Sequence, residues 1–303
     1  MHVAIVGAGM GGAGAAYALR DTDGVDVTVY ESGTVGGRAA AARRGGVVYD
    51  YGANYLSDAD PETLALVRSL DADLVAVEGD VWTFDGAGAV SEGDDRHDEK
   101  VTDRRGLDHL PRAALEAAGA TVETGATVRS VSRSGAPGGG WRLDVTGRDR
   151  PVEAGAVVVT PPGPETASLL EGEGGAARLR DAAAAVPYRT VLSVALHYPF
   201  EVEAPYYALV NTDGAHDVGW LARESCKPGH VPPGEELLVA QMAPGWSADH
   251  LGDDGAPARA ADAVAALLGD ERLADPDWTA AHGFERALAD GAADAGAVDA
   301  AAG

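Results

Sequence analysis

A glycine-rich turn near the amino terminus constrains the fold more than any other feature of the sequence. Residues 3–6 read Val-Ala-Ile-Val, a short apolar strand, and residues 7–12 read Gly-Ala-Gly-Met-Gly-Gly. Small and apolar residues then recur at helical spacing, which predicts a helix over 12–20. In such a strand, turn and helix, the glycines allow a tight turn, a close approach to pyrophosphate and close helix packing. A secretory signal is the competing reading, but no Lys or Arg precedes the apolar stretch.

A second strand strengthens the prediction of a dinucleotide site. Residues 25–30 alternate valine with polar neighbours and end at Glu31, which lies 24 residues after Gly7. A carboxylate at this position can accept both hydroxyls of an adenosine ribose. Because 41 of 303 residues are glycine, the glycine motif alone could arise by chance. Alternatively, Glu31 is a solvent-exposed residue at a strand end.

Two later motifs point to a flavin rather than a nicotinamide. Gly36-Gly37-Arg38 follows Glu31, and Asp50-Tyr51-Gly52-Ala53-Asn54-Tyr55 follows a hairpin predicted at Gly45-Gly46. Two glycines let the backbone lie against a cofactor, while the guanidinium can reach phosphate oxygens bidentately. Together these motifs resemble the flavin-containing amine oxidase clan, which binds FAD in an extended conformation.

Three later fragments resemble renalase and its bacterial relatives. They are Val186-Pro187-Tyr188, the string Trp-Leu-Ala-Arg-Glu-Ser-Cys-Lys-Pro-Gly at 220–229, and Gly245-Trp246-Ser247. The likeness covers about residues 1–288. It implies an FAD-dependent oxidase that takes hydride from dihydropyridine isomers of reduced nicotinamide dinucleotides and is reoxidised by oxygen. Such a substrate is already electron-rich and needs orientation more than a strong base, so no catalytic residue is assigned. No metal ligand is assigned either, because the eight histidines show no close metal-ligand spacing.

The fold class implied is α/β, with a Rossmann-type, glutathione-reductase-like FAD-binding domain and an antiparallel-sheet substrate domain. The FAD-binding domain is predicted over 1–73, 104–163 and 265–303, and the substrate domain over 74–103 and 164–264. One helix is predicted over 61–70, capped by Asp60, and a second follows Gly106 and runs to about 118. Strands are predicted at 81–84, 121–132, 141–146, 152–160, 188–198, 206–210, 218–223 and 237–242, with a polar loop over 85–103 and a turn at 138–140. The apolar run over 156–159 is typical of a strand buried on both faces, and Pro161–Pro164 marks a crossing between domains.

Cofactor contacts are predicted for thirteen residues: Gly7, Gly9, Met10, Gly11, Gly12, Glu31, Gly37, Arg38, Gly52, Ala53, Asn54, Tyr55 and Val128. In the resembling clan the strand of Val128 passes the adenine, although Val128 could equally be a core residue. Tyr188, Tyr206, Tyr207 and Trp220 are either walls of a substrate cavity or plain core. Lys227 either contacts the cofactor through water or is a turn lysine before Pro228.

The carboxyl-terminal stretch departs from the family pattern. An HRWRYA-like string is replaced by His-Gly-Phe-Glu-Arg-Ala at 282–287, and no Gly-Asp pair follows it. The resemblance then implies weak flavin retention, with largely apoprotein on purification and slow turnover. Two alternative functions stay open. The protein is a flavin amine oxidase or desaturase of the same clan, or it is a flavin-poor homologue that binds a ligand without catalysis.

The charge balance excludes some partners. Asp and Glu number 48 against 23 Lys and Arg, for a net charge of -25, which argues against nucleic-acid binding. The chain has two lysines, Lys100 and Lys227, and its acidic residues are spread along the sequence. This composition is typical of a surface adapted to high salt. The alternative is an ordinary acidic protein from a GC-rich genome. The sequence has a single cysteine, Cys226, which cannot form an internal disulfide and is typical of a cytoplasmic protein. No apolar run reaches about 18 residues, so no membrane partner is predicted. The oligomeric state is left unassigned.

Overall fold

The computed structural model describes residues 1–58, 61–93, 99–135 and 139–292. The predicted cap Asp60, part of the turn predicted at 138–140, and the stretch 293–303 lie outside the described residues. The chain forms two compact units, each assembled from separated stretches. Unit 1 contains residues 1–38, 110–188 and 289–303, and unit 2 contains 39–109 and 189–288. These boundaries differ from the predicted cofactor and substrate domains, whose assignment to ligands stays a prediction.

The strands and helices are, in chain order, β1 (His2–Val6), α1 (Met10–Leu19), β2 (Asp26–Glu31), β3 (Ala41–Arg44), β4 (Val47–Asp50), β5 (Leu56–Ser57), α2 (Pro61–Arg68), β6 (Leu74–Ala76), β7 (Asp80–Phe84), β8 (Val90–Ser91), β9 (Lys100–Asp103), α3 (His109–Ala117), β10 (Thr121–Thr124), β11 (Val128–Arg133), β12 (Trp141–Val145), β13 (Val152–Ala154), β14 (Ala156–Val159), α4 (Gly163–Leu169), α5 (Ala177–Ala184), β15 (Tyr188–Tyr198), β16 (Tyr206–Asn211), β17 (Val218–Arg223), β18 (Glu236–Met242), α6 (Pro244–His250), α7 (Ala256–Leu268) and β19 (Trp278–Ala289).

Unit 1 is built on a parallel sheet of the Rossmann type. Its four strands lie in the order β10-β2-β1-β14, and a separate antiparallel sheet contains β11, β12 and β13. Helix α1 buries three small residues, Gly12, Ala13 and Ala16, so its backbone can lie close to the sheet. The side chains of β11 and β12 pack on the Val157 and Val159 face of β14 to form the core of this unit.

Unit 2 is dominated by a seven-stranded sheet in the order β19-β15-β18-β17-β16-β7-β8. The pairs of β15, β16, β17 and β18 are antiparallel, as predicted, whereas β7 joins β16 in parallel. Helix α7 packs Ala260, Ala261 and Val264 against leucines of the sheet, all fully buried. The hairpin predicted at Gly45-Gly46 is present between β3 and β4.

Several predicted strand bounds, one predicted loop and the predicted crossing between domains are wrong. The strand predicted at 121–132 is divided at Gly125, which has a φ of +67° that favours glycine, and the strand predicted at 152–160 is divided at Gly155. The apolar run in β14 is only half-buried, because β14 is the edge strand of its sheet rather than a central one. The predicted polar loop over 85–103 contains β8 and β9. After Pro161 the chain continues into α4 and α5, which belong to the same unit.

Within the described residues, no helix has both the length and the apolar character that a bilayer crossing requires.

Candidate functional site

The glycine-rich turn of unit 1 has the backbone geometry that the sequence predicts. Gly7 adopts a φ of +96°, and its N–H donates to the carbonyl of Tyr30 at 2.8 Å. A Cβ at Gly12 would lie 1.9 Å from the Gly7 oxygen, so only glycine lets α1 begin this close to the turn. The helix begins at Met10, two residues earlier than predicted, after Gly9. No side chain caps it and its first turn carries no acidic residue, so its positive end is available to an anion.

The carboxylate of Glu31 is fixed beside this turn. Its Oε2 accepts a hydrogen bond from the Ala8 N–H at 2.8 Å, and its Oε1 accepts one from the Gly33 N–H, also at 2.8 Å. The Ser32 hydroxyl also donates to Oε1, at 3.3 Å. A carboxylate has about four lone-pair sites, so one remains for a ribose hydroxyl, and a second is available if a ribose hydroxyl replaces that of Ser32. Glu31 is therefore held in place at the end of β2 rather than being a free surface side chain.

The Gly36-Gly37-Arg38 loop touches the turn directly. The Gly36 N–H donates to the Ala8 carbonyl at 3.1 Å, and a short parallel bridge joins Gly9 to Gly36. Gly37 has a φ of +56°, and a Cβ there would lie 3.1 Å from the Cα of Gly9. Because only bare backbone fits at this contact, the loop and the helix start form one cradle, with the exposed Arg38 at its edge.

The residues of this cradle fit a dinucleotide. Backbone N–H groups at the start of α1 and the Arg38 guanidinium suit a diphosphate, and the Glu31 carboxylate suits a ribose. Gly7, Gly9, Met10, Gly11, Gly12, Glu31, Gly37 and Arg38 all lie in this one region of unit 1. Val128 begins β11, two residues after Ala126, whose N–H donates to the Glu31 carbonyl at 2.9 Å. Val128 is 8% exposed and packs in the core, and its contact with an adenine stays a prediction.

The other predicted cofactor residues, Gly52, Ala53, Asn54 and Tyr55, lie in unit 2. Their loop leaves β4 and is tied to the large sheet by two hydrogen bonds. Ser193 donates to the carbonyl of Tyr51 at 2.6 Å, and the Gln241 amide donates to that of Gly52, also at 2.6 Å. The loop is therefore ordered by β15 and β18, neither of which could be connected to it from sequence spacing.

An aromatic cluster lies next along this loop. The rings of Tyr55, Tyr207 and Trp220 have centroids 6.0–6.4 Å apart in all three pairs. The Tyr207 hydroxyl and the Trp220 indole N–H are buried, and neither has a hydrogen-bond partner in the part of the chain that the structure describes. Burial raises the pKa of the Tyr207 hydroxyl, which keeps it neutral. An unsatisfied buried polar group costs about 1–3 kcal/mol, so this cluster is suited to a polar group of a ligand.

Tyr188 and Tyr206 do not join this cluster. The Tyr188 hydroxyl accepts a hydrogen bond from the Gly163 N–H at 2.9 Å, within unit 1. Tyr206 packs against Trp82, with ring centroids 5.4 Å apart, at the edge of the main core. The proposal of a substrate-wall role therefore rests on Trp220, and on Tyr207 beside it.

Lys227 lies at the centre of a buried ionic cluster that the sequence did not reveal. Its Nζ is 2.8 Å from Asp50 Oδ2 and 2.8 Å from Glu224 Oε1, and all three side chains are completely buried. Asp50 also accepts hydrogen bonds from the Thr102 hydroxyl and the Leu107 N–H. The cluster fastens the end of β4, directly before the Gly52–Tyr55 loop, to the segment after β17.

His230 completes the cluster. One ring nitrogen lies 3.0 Å from Glu224 Oε2 and the other 3.0 Å from the backbone oxygen of Asp103, so a ring protonated at both nitrogens donates to both acceptors. We call Asp50, Glu224, Lys227 and His230 the buried tetrad. Although burial by itself opposes the charged carboxylate, the Lys227 ammonium and the His230 contact lower the pKa of Glu224. Burial raises the pKa of Asp50, although the Lys227 ammonium acts in the other direction. Burial by itself would lower the pKa of Lys227, but the charges of Asp50 and Glu224 outweigh it and raise that pKa.

The tetrad could be mistaken for a metal centre. Asp50, Glu224 and His230 offer ligand atoms within 4.8 Å of one another. The Lys227 ammonium already supplies the cation between the two carboxylates, so the geometry is accounted for without a metal ion.

Comparison with known proteins agrees with this geometry. Residues 5–70 match the family described as NAD(P)-binding Rossmann-like domain, and residues 77–295 match the family described as flavin containing amine oxidoreductase. Protoporphyrinogen oxidase 2 of Arabidopsis thaliana is 44% identical over 70 residues, which are 23% of this chain and only 14% of that protein.

Solved structures share the fold over nearly the whole chain. A candidate protoporphyrinogen oxidase from Exiguobacterium sp. 255-15 has a TM-score of 0.80 at 14% identity, covering 99% of this chain and 90% of its own. Cyclohexylamine oxidase from Brevibacterium oxydans IH-35A has a TM-score of 0.72 at 16% identity, and the match covers 93% of this chain and 84% of the oxidase chain.

The matched segments include the glycine turn, Glu31, the Gly-Gly-Arg loop and Tyr55 in the first family, and Tyr207, Trp220 and the tetrad residues 224–230 in the second. The second match alone spans well over half of the sequence. The chain therefore belongs to the flavin containing amine oxidoreductase family, and its cofactor is FAD.

Proposed function

We propose that this protein is an FAD-dependent oxidase of the renalase-like type, which takes hydride from a dihydropyridine isomer of a reduced nicotinamide dinucleotide. The observation that carries the proposal is the state of Lys227. Its ammonium is fully buried and paired with both Asp50 and Glu224, so it is not available as an acid or a base. A substrate that is already electron-rich does not require one, whereas amine oxidation in the clan that the sequence resembles goes with a lysine and an aromatic cage near the flavin.

The residues of the chain would bind and orient rather than transfer protons. The cradle of unit 1 would hold the FAD diphosphate through backbone N–H groups and Arg38, and Glu31 would hold its ribose. In unit 2, the neutral Tyr207 hydroxyl and the Trp220 N–H would hydrogen-bond a polar group of the substrate, while the rings exclude water. FAD, when bound, supplies the two-electron acceptor and passes the electrons on to oxygen.

A second candidate is amine oxidation. The rings of Tyr55, Tyr207 and Trp220 could hold a cationic ammonium group through their faces, which such cations favour. The proteins of similar fold include cyclohexylamine oxidase, but at 16% identity this likeness concerns the fold. Protoporphyrinogen oxidation is a further candidate from the curated relatives, although that match spans 70 residues.

One experiment separates these candidates. The FAD-loaded protein is mixed without oxygen with a dihydropyridine isomer of reduced NAD, with cyclohexylamine or with protoporphyrinogen, and loss of the oxidised-flavin absorbance is followed. We expect bleaching by the dihydropyridine alone, at the slow rate that the altered carboxyl-terminal stretch implies, and recovery of the colour when oxygen is admitted. Bleaching by cyclohexylamine or protoporphyrinogen, with none by the dihydropyridine, would refute the proposal. Absence of bound flavin under all conditions would leave the flavin-poor binding protein as the remaining reading.

The proposed role of Arg38 gives a first prediction. Arg38→Ala should weaken FAD binding by about 1.5–3 kcal/mol, the contribution of a hydrogen bond to a charged group. The measurement is a titration of apoprotein with FAD, followed by flavin fluorescence. Arg129→Ala is the control, because Arg129 pairs with Asp144 on the antiparallel sheet and is not a predicted cofactor residue. Equal affinities for Arg38→Ala and the unmodified protein would contradict a phosphate contact.

We also propose that the protein works in the cytoplasm of a cell with high internal salt. At a net charge of -25, repulsion between like charges opposes the compact state, and salt screens it. The Debye length falls from about 10 Å at 0.1 M salt to about 3 Å at 1 M. The midpoint of thermal unfolding should therefore rise between low salt and molar potassium chloride. A midpoint that stays constant or falls would contradict a high-salt adaptation.

A further inference from the structure

Unit 1 contains a cavity of about 270 Å³ that lies between the parallel sheet and the antiparallel sheet. None of the thirteen residues predicted to hold FAD lines it. Its walls include Val159 of β14, Leu170 after α4, Leu179 of α5, Trp141 of β12 and Arg133 of β11. Pockets for drug-sized ligands run from about 300 to 1,000 Å³, so this cavity suits a smaller molecule.

The interior of the cavity is apolar. Val131, Leu170 and Ala176 are buried members of the unit 1 core, and Val157, Val159 and Leu179 pack against them half-buried. A space with such walls is poorly hydrated, because a water molecule needs two to four polar partners. An alkyl or aromatic body is the occupant that this surface favours.

The mouth of the cavity carries a cation. Arg133 is exposed, and its guanidinium lies 4.3 Å from the centroid of the Trp141 ring, which holds it in one orientation. Glu173 is the neighbouring acid, but its two oxygens accept the backbone N–H groups of Arg133 and Gly175, at 2.8 and 3.1 Å. Those two hydrogen bonds, with a smaller effect of the Arg133 charge, lower the pKa of Glu173. These backbone contacts hold the Glu173 carboxylate in place, and the structure gives it no ion pair with the Arg133 guanidinium.

Arg133 differs in this respect from three arginines on or beside the same antiparallel sheet. Arg129 pairs with Asp144 at 2.9 Å, Arg142 with Glu153 at 3.1 Å, and Arg148 with Glu123 at 2.6 Å. Among the described residues, Arg133 forms no such ion pair, in a protein that carries 48 acidic side chains. An oriented guanidinium with free N–H donors matches a carboxylate, which it can bind through two parallel hydrogen bonds.

We propose that this cavity is a second ligand site, which binds a small monocarboxylic acid with an apolar body. The apolar body enters between β11, β14, α4 and α5, and the carboxylate remains at the mouth on the Arg133 guanidinium. This site is independent of the reaction proposed above, because no residue of the aromatic cluster or the tetrad takes part.

The test uses octanoate as the probe and octanamide as its uncharged counterpart, titrated calorimetrically into the FAD-loaded protein. We expect octanoate to bind at one saturable site and octanamide to bind about 10- to 150-fold more weakly, the range for a lost charged hydrogen bond. Arg133→Gln should weaken octanoate binding by the same factor and leave the affinity for octanamide unchanged. Arg129→Gln, on the same strand, should leave both affinities unchanged.

A second variant locates the site. Ala176→Phe places a large side chain in the wall of the cavity and should abolish binding of both probes while the flavin content stays at the level of the unmodified protein. The proposal is overturned if octanoate shows no saturable binding, or if it binds Arg133→Gln as tightly as the unmodified protein. Because the Arg133 side chain is exposed, that variant keeps the core intact and the result can be interpreted even if Ala176→Phe does not fold.

Discussion

Lys227→Met is expected to destabilise the protein by about 3–5 kcal/mol, the range for removing one partner of a buried ion pair. The substitution leaves Asp50 and Glu224 facing each other without the ammonium that now lies 2.8 Å from each. Urea unfolding at neutral pH measures the loss. The matched control is Lys100→Met at the only other lysine, which is half-buried on β9 and lies outside the tetrad. A loss in Lys227→Met no larger than in the control would show that the tetrad contributes little to stability.

The pH dependence gives this prediction a second readout. In the unmodified protein the pKa of Glu224 is lowered by folding, so its contribution is present above the unfolded carboxylate pKa of about 4.3 and is lost as the pH falls through the folded value. Lys227 has a raised pKa, so its contribution is complete below its unfolded pKa of about 10.4 and is lost only as the pH rises through the folded value.

In Lys227→Met the two carboxylates lose their cation. The pKa of Asp50, already raised by burial, should rise further, and the pKa of Glu224 should change from below to above its unfolded value. The folded variant then binds more protons than the unfolded one, so its stability should increase as the pH falls. We expect the difference from the unmodified protein to narrow between neutral pH and about pH 5. Asp50→Asn and Glu224→Gln, added to Lys227→Met, should recover part of the lost stability at neutral pH. A deficit that is constant with pH, and no recovery in the triple variant, would assign the loss to packing alone.

The second large effect is expected at Gly12. A Cβ at Gly12 would lie 1.9 Å from the Gly7 oxygen and 3.0 Å from the Gly7 carbonyl carbon, so Gly12→Ala must move either the turn or α1. Overpacking of this kind costs about 1–3 kcal/mol, and here the displaced atoms are the ones proposed to bind the diphosphate. We expect Gly12→Ala to unfold at lower urea. After both proteins are loaded with excess FAD and the free flavin is removed, the variant should carry less FAD than the unmodified protein, as measured from the flavin absorbance per chain.

Gly14→Ala is the matched control, on the same helix two residues later. Nothing lies within 4 Å of a Cβ at Gly14, so alanine there should be tolerated and should stabilise the helix by about 0.5–1 kcal/mol. Normal flavin content in Gly12→Ala, or an equal loss in both variants, would contradict the role assigned to the close contact between turn and helix.

The parts of the fold that depend on residues close together in the sequence were predictable. The first strand, glycine turn and helix were identified because apolar periodicity and glycine positions are local signals, and FAD and the fold class are confirmed. The strands at 188–198 and 218–223 have the predicted bounds for the same reason. The short strands β8 and β9 were missed because polar residues surround them.

The remaining features depend on which distant segments meet. An Ala-Val-Val-Val run is equally compatible with a central strand and with the edge position that β14 occupies. The tetrad joins Asp50 to Lys227 across 177 positions, and no spacing in the sequence links them. Tyr207 and Trp220 were recognised as aromatic residues on strands, but their unpaired polar atoms became visible only with their neighbours in place.

The interleaving of the two units has a consequence for how the chain reaches its folded state. Unit 2 takes its first stretch from residues 39–109 and its second from 189–288, so its sheet cannot close while only the first half of the chain has left the ribosome. Until then Asp50 has no ammonium partner, and β7 has no β16 beside it. Contacts of such long sequence separation are slow to form and leave strand edges exposed in the meantime. The strand edges of unit 2 should therefore stay unpaired in the nascent chain until about residue 288 has been made, whereas the sheets of unit 1 are complete once residue 159 has been made.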